Sequence, residues 1–200
     1  MQEAIHHLSR TDPVLARIIE QVGAYRIEFR EPGFETLVKA IVYQQLSGRV
    51  ASVIFGRLAS AAGQPLSPAG VLKLRPARMR TLGLSRQKIA YIRDLARKTR
   101  DGEVDFAAMA VLDDEAVIGE LTAVKGVGVW TAHMFLIFAL RRHNVLPVGD
   151  LGIRAAIRKA YGLAEMPTPA QVQDLARPWH PWCTVASWYL WRSLEPNANL

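Results

Sequence analysis

Apolar positions recur at helical spacing along most of the chain. Val14, Leu15, Ile18, Ile19 and Val22 form one stripe, and Val50, Val53, Ile54, Leu58 and Ala61 a second; Ile89, Ile92, Leu95 and Ala96, then Ile153, Ala156, Ile157 and Ala160, continue the pattern. Each stripe predicts an amphipathic helix. Three start signals agree with them: Asp12-Pro13, Ser67-Pro68 and Thr168-Pro169 each place a capping side chain before a proline suited to the first helical position. Gly33, Gly63, Gly83, Gly102 and Gly162 punctuate the chain where termini or turns are expected. Alternation of period two is confined to Tyr25 to Phe29, so the expected class is all-α, with no sheet required.

The longest patterned stretch runs from Asp113 to Gly152, DDEAVIGELTAVKGVGVWTAHMFLIFALRRHNVLPVGDLG. Acids at Asp113, Asp114 and Glu115 suit a helix N-terminus, where negative charge meets the positive end of the dipole. That helix is predicted to reach about Leu121. VKGVG then sets two glycines within three residues, and a second apolar helix follows through Trp130, Met134, Ile137 and Phe138. The result is a helix, a tight hairpin and a helix. Gly126 and Gly128 allow the turn to expose backbone amides beside a helix N-terminus, which can take a phosphate oxygen without side-chain help. An ordinary αα-hairpin with a glycine turn would read the same way. Asp150 lies 20 positions beyond Trp130 at a loop-to-helix junction, where an aspartate commonly serves as an N-cap. The stripe Phe34, Leu37, Val38, Ile41, Val42 ends on Gln45, an unusual residue for a core.

Composition narrows the function classes. With 200 residues, 50% of them hydrophobic and 22% charged, the chain can bury one substantial core or two small lobes. The net charge of +7 favours a polyanionic partner through phosphate neutralisation, although many basic proteins bind no nucleic acid. A single cysteine, Cys183, excludes an internal disulfide and an iron-sulfur cluster held by four thiolates of one chain. The five histidines show no zinc spacing. No apolar run approaches the roughly 20 residues of a membrane span, and MQEAIHHLSR lacks a signal-peptide core, so a cytoplasmic, nucleoid-associated location is expected, or a nuclear one in a eukaryote.

The string LTAVKGVGVWTA, followed by a spaced PVGD, resembles the helix-hairpin-helix, Gly/Pro-rich loop and aspartate signature of the base-excision DNA glycosylases. Within that superfamily it is most similar to the 3-methyladenine DNA glycosylase II (AlkA) type. FETLVKAIVYQQLSGRVASVIFGRL, LGLSRQKIAYIRDLA and WHPWCTVASWYLW share the likeness, which spans about Phe34 to Trp191. The resemblance implies a single unit over 1–200 made of two helical lobes, one of about 34–145 containing the hairpin 121–130, the other of about 1–30 plus 146–200, with the active site in the cleft between them. The few residues before Phe34 imply a compact form without an N-terminal α/β domain.

The same resemblance assigns roles. Asp150 corresponds to the catalytic aspartate, a carboxylate suited to stabilise the positive charge that builds on the sugar as a base departs. Bifunctional relatives carry a lysine nucleophile where this chain has Trp130, which implies hydrolysis without strand cleavage. Trp130 and Trp191 match pocket tryptophans, with Met134 and Leu151 as further lining. Trp179, Trp182 and Trp188 are expected in the core. Gln45, with Gln44 and Leu46, falls in the segment that wedges into the vacated base stack. Ser47, Lys125, Gly126, Val127, Gly128 and Thr131 are expected at the DNA backbone, and Arg49, Arg86 and Lys88 to widen the basic face. A structural Na⁺ or K⁺ is implied at the carbonyls of Thr122, Val124 and Val127; no cofactor is required. The expected partner is double-stranded DNA with an alkylated base, bound by a monomer. A mismatch or uracil-type glycosylase on the same scaffold, or a non-catalytic DNA-binding module, are the competing expectations. Cys183 departs from the family pattern, where arginine usually follows the Pro-Trp pair.

Overall fold

A computed structural model of the protein describes residues 1–194. Among these, the chain forms twelve α-helices and two short 3₁₀ turns and no strand. In order they are α1 (Gln2–Thr11), α2 (Pro13–Val22), α3 (Phe34–Tyr43), α4 (Gly48–Ala62), α5 (Pro68–Lys73), α6 (Pro76–Thr81), α7 (Arg86–Arg100), α8 (Asp114–Thr122), α9 (Val129–Phe138), α10 (Leu151–Ala160), α11 (Pro169–Leu175) and α12 (Cys183–Leu194). None is long and apolar enough to cross a membrane.

Capping chemistry explains where several helices begin. The Asp12 carboxylate accepts the amides of Val14 and Leu15, the Ser67 hydroxyl that of Gly70, and Thr168 forms a reciprocal capping box with Gln171, each with proline opening the helix. Such caps satisfy amides that the helix itself leaves unpaired, at roughly 1 kcal/mol apiece.

The chain divides into two compact units. The first joins Met1–Phe29 to the chain from Arg141 onward; the second is Arg30–Leu140, so the unit holding the hairpin ends five residues before position 145. In the first unit α2, α10 and α12 pack together around Leu8, Leu15, Ile18, Ile153, Ile157, Trp179 and Tyr189. Asp12 is buried there and fully used: besides its capping bonds it accepts the Trp179 indole N–H at 2.8 Å and the Tyr161 hydroxyl. The Tyr25 to Phe29 alternation falls on chain without regular secondary structure, with Tyr25 and Ile27 packed against the core and the Tyr25 ring edge-on to Trp188 at 4.7 Å.

In the second unit α3 packs on α4 and α7, burying Phe34, Leu37, Val38, Ile41 and Val42 against Ile89, Ile92, Leu95 and Ala96. The α4 stripe differs from expectation. Ala51, Ile54, Leu58 and Ala59 are buried, whereas Val50 and Val53 are about half exposed. α4 is apolar on two adjacent rows, and the core takes the one that begins at Ala51.

Candidate active site

The loop Leu146–Gly149 delivers Asp150 to the first turn of α10. Two tight backbone bonds, Val148 N to Leu146 O and Asp150 N to Pro147 O, both 2.9 Å, fix its approach. Asp150 is 8% exposed, and its Oδ1 accepts the Ile153 amide at 2.8 Å and the Trp191 indole N–H at 2.9 Å. The ordinary N-cap expectation is therefore met, and an indole from α12 holds the same oxygen. Negative charge here also meets the positive end of α10. Gly152 makes the approach of Trp191 possible, since a Cβ at that position would lie 3.1 Å from both Asp150 Oδ1 and Trp191 Cδ1. Leu151, next in the chain, is 69% exposed.

In the second unit the hairpin forms as its glycines predict. Asp113 caps α8 through the Ala116 amide, and α9 starts from Gly128. Between them, Val124 N donates to Leu121 O and Val127 N to Val124 O, both 3.1 Å, while Lys125 N donates to Asp94 Oδ2 at 3.0 Å. Val127 and Thr131, expected at the DNA backbone, are less accessible than their neighbours. Val127 is buried and its amide is already committed within the turn, and Thr131 is buried on the inner face of α9. Gly126, Gly128 and Val129 are exposed and lead into the N-terminus of α9, the positive end of a helix and a setting suited to an anion. Trp130 stands in that turn half exposed, with Met134 half-buried one turn on.

The segment between α3 and α4 turns through Gln45, an exposed residue with φ +55°, the left-handed region rarely used outside glycine. Leu46 and Ser47 beside it are exposed. Gln44 does not project with them: its Nε2 donates to Gly126 O at 2.9 Å, so it serves the hairpin. Lys88 also departs from expectation. Its ammonium donates to Val42 O and Gln44 O, both 2.6 Å, at the C-terminal end of α3, whereas Arg49 and Arg86 are exposed. Burial lowers its pKa below the usual lysine value.

Two residues of this arrangement, Tyr91 and Asp94, carry no role in the sequence pattern, and Lys88 has a different one from that expected. Asp94 had a detectable signal, a carboxylate inside the apolar run Ile92 to Ala96. It is buried, and although burial raises its pKa, bonds from the Lys125 amide and Arg97, with the nearby charges of Lys125 and Lys98, outweigh this and hold it below the usual carboxylate range. Tyr91 lies under the hairpin: Gly126 has φ +78°, and a Cβ there would fall 2.0 Å from the Tyr91 ring.

The remaining aromatic and thiol groups are structural. Trp179 and Trp188 are buried in the first unit, and Trp182 is half-buried edge-on to His143. Cys183 faces the same core, where burial pushes its thiol up to about 12. Among the described residues no cluster of three or more His, Cys, Asp or Glu side chains is placed to hold a metal.

Residues 38–181 match the family described as HhH-GPD superfamily base excision DNA repair protein. The DNA-3-methyladenine glycosylase 1 of Schizosaccharomyces pombe is 36% identical over 94% of this chain and 85% of its own length. Among solved structures, an S. pombe 3-methyladenine DNA glycosylase in complex with abasic DNA superposes with a TM-score of 0.83 at 34% identity, covering 96% of each chain. A DNA-3-methyladenine glycosidase from Bacillus halodurans gives 0.86 at 34% identity, over 94% of this chain and 87% of that one.

Proposed function

The chain belongs to the HhH-GPD superfamily of base excision DNA repair proteins and is a DNA glycosylase, and from that premise we propose that it acts as a monomer on double-stranded DNA, releasing alkylated purines of the 3-methyladenine and 7-methylguanine type by hydrolysis alone. The observation that carries the reading is the Asp150 carboxylate, nearly buried and oriented by two donors on one oxygen.

Cleavage of the N-glycosidic bond moves the bonding electrons onto the departing base and leaves positive charge on the sugar. A carboxylate held in a poorly hydrated setting stabilises that charge without reorganising, because the Ile153 amide and Trp191 indole already fix it. The same carboxylate orients the water that completes the hydrolysis and takes its proton. Alkylation at a ring nitrogen makes the base cationic, so an aromatic face recognises it and weak leaving-group assistance suffices. Trp130 with Met134 on α9, and Trp191 with Leu151 beside Asp150, are the side chains assigned to the base.

Extrusion of the nucleotide costs a few kcal/mol of stacking and pairing. Gln45, lifted by its left-handed backbone, and Leu46 fill the vacated stack, while the hairpin at Lys125, Gly126 and Gly128 and the first turn of α9 hold the phosphates, with Ser47 on the wedge side. The carbonyls of Thr122, Val124 and Val127 are the groups that would hold a monovalent cation at the hairpin, Val124 O also accepting the Val127 amide. A bound Na⁺ or K⁺ would add positive charge beside the phosphate.

The test is Asp150→Asn on duplexes carrying one alkylated purine, with alkali revealing abasic sites. The expected result is normal folding and DNA binding with excision reduced at least 1,000-fold, roughly the 4 kcal/mol scale of a lost charge-stabilising group. Turnover near the wild-type rate would overturn the assignment. Borohydride should trap no covalent DNA adduct, since position 130 offers an indole and no amine.

A further inference from the structure

Helix α7 links the two loops that the proposed reaction assigns to DNA. Lys88, Tyr91 and Asp94 lie three residues apart, on one side of the helix; Lys88 reaches the end of α3, and Tyr91 and Asp94 both reach the hairpin. Lys88 holds the end of α3 through Val42 O and Gln44 O. Tyr91 lies against Gly126, and Asp94 accepts the Lys125 amide. Gln44 completes the circuit by donating to Gly126 O. Six residues of helix set the Lys88 and Asp94 anchors roughly 9 Å apart along the axis, a spacing that flexible loops alone would not hold.

We infer that Lys88 is a positioning residue, which holds the left-handed Gln45 turn at a fixed offset from the phosphate-gripping hairpin so that gripping the backbone and filling the base stack occur in one motion; this rests on the wedge role proposed above. The ammonium neutralises two carbonyls at a helix end that no backbone amide reaches within the described hydrogen bonds, and with it Gln45 keeps a backbone conformation it would otherwise leave. Lys88 touches neither base nor phosphate in this role. Its loss should therefore separate stack filling from DNA affinity.

The experiment uses a duplex with a tetrahydrofuran abasic analogue and 2-aminopurine as the neighbouring base on the opposite strand, whose fluorescence rises when the stack is opened. Binding to this duplex and to its undamaged counterpart is followed for the wild-type protein, Lys88→Met, Lys88→Arg and Gln44→Ala, with thermal melting of each. Lys88→Met is expected to bind the undamaged duplex within about three-fold of wild type, yet lose at least five-fold of the fluorescence rise per bound complex; Lys88→Arg restores most of it. Gln44→Ala, at a half-buried surface position where folding is not at stake, should show an intermediate loss. A wild-type rise in both Lys88→Met and Gln44→Ala overturns the inference, as does a rise that falls only in step with affinity for the undamaged duplex. Base release from an alkylated duplex, measured in parallel, reads the proposed activity separately: a normal fluorescence pattern without release would count against the activity and leave the role of Lys88 standing.

Discussion

Asp150 combines a folding role with a chemical one, and two substitutions separate them. Asparagine caps a helix about as well as aspartate and keeps an oxygen for the Ile153 amide and the Trp191 indole, so Asp150→Asn should stay within about 1 kcal/mol of wild-type stability while losing excision. Alanine removes the cap and strands a partly buried indole N–H, which should cost about 2 kcal/mol by chemical denaturation, with the same loss of activity. Asp94 is the contrasting carboxylate, with no proposed contact to DNA. Its folded-state pKa lies below the unfolded value near 4, so its contribution is complete above that value and disappears as pH falls through the lower folded one. Asp94→Asn should therefore destabilise the protein more at pH 7 than at pH 3. Equal losses at both would show that charge on Asp94 does not matter.

At the scale of elements, helix ends were legible because their chemistry is local: Asp12, Ser67 and Thr168 each bond amides within three residues of themselves. The hairpin was legible for the same reason, its glycines marking the turn. What holds the hairpin was not, since Lys88, Tyr91 and Asp94 act on residues 31 to 46 positions away through side-chain contacts that leave no periodicity. On an amphipathic helix Lys88 and Tyr91 look like solvated surface, and only Asp94, set among apolar residues, stands out. The two valines of α4 misled in the opposite way, because apolar identity does not reveal which of two neighbouring rows the core selects. Gly126 tests how firmly the hairpin is seated. Alanine there must adopt φ near +78° and displace the Tyr91 ring, so Gly126→Ala should cost about 2 kcal/mol or more and weaken duplex binding about ten-fold. Adding Tyr91→Ala relieves the collision but not the backbone strain. The double variant should thus be less impaired than the sum of the two singles, a coupling that a melting and binding cycle reads directly.

For the whole molecule, the +7 charge overstates what DNA can meet. Arg80, Lys88, Arg93 and Arg154 donate to backbone carbonyls, and Arg97, Lys98, Arg100 and Arg177 pair with carboxylates. The first four hold helix ends and loops, and the others pair with carboxylates close to them in sequence, work that a count of lysines and arginines cannot separate from phosphate binding. Affinity for undamaged duplex should consequently fall with salt less steeply than the total basic content implies, with a log-log slope of about −3 to −4 between 50 and 200 mM, the signature of roughly four neutralised phosphates. Lys125→Ala, at an exposed hairpin position, should make that slope shallower by about one unit. Lys88→Met removes the same formal charge but should leave the slope unchanged, because its ammonium is occupied by Val42 and Gln44 rather than by DNA. A matching change in both variants would mean that Lys88 leaves those carbonyls for a phosphate when DNA binds.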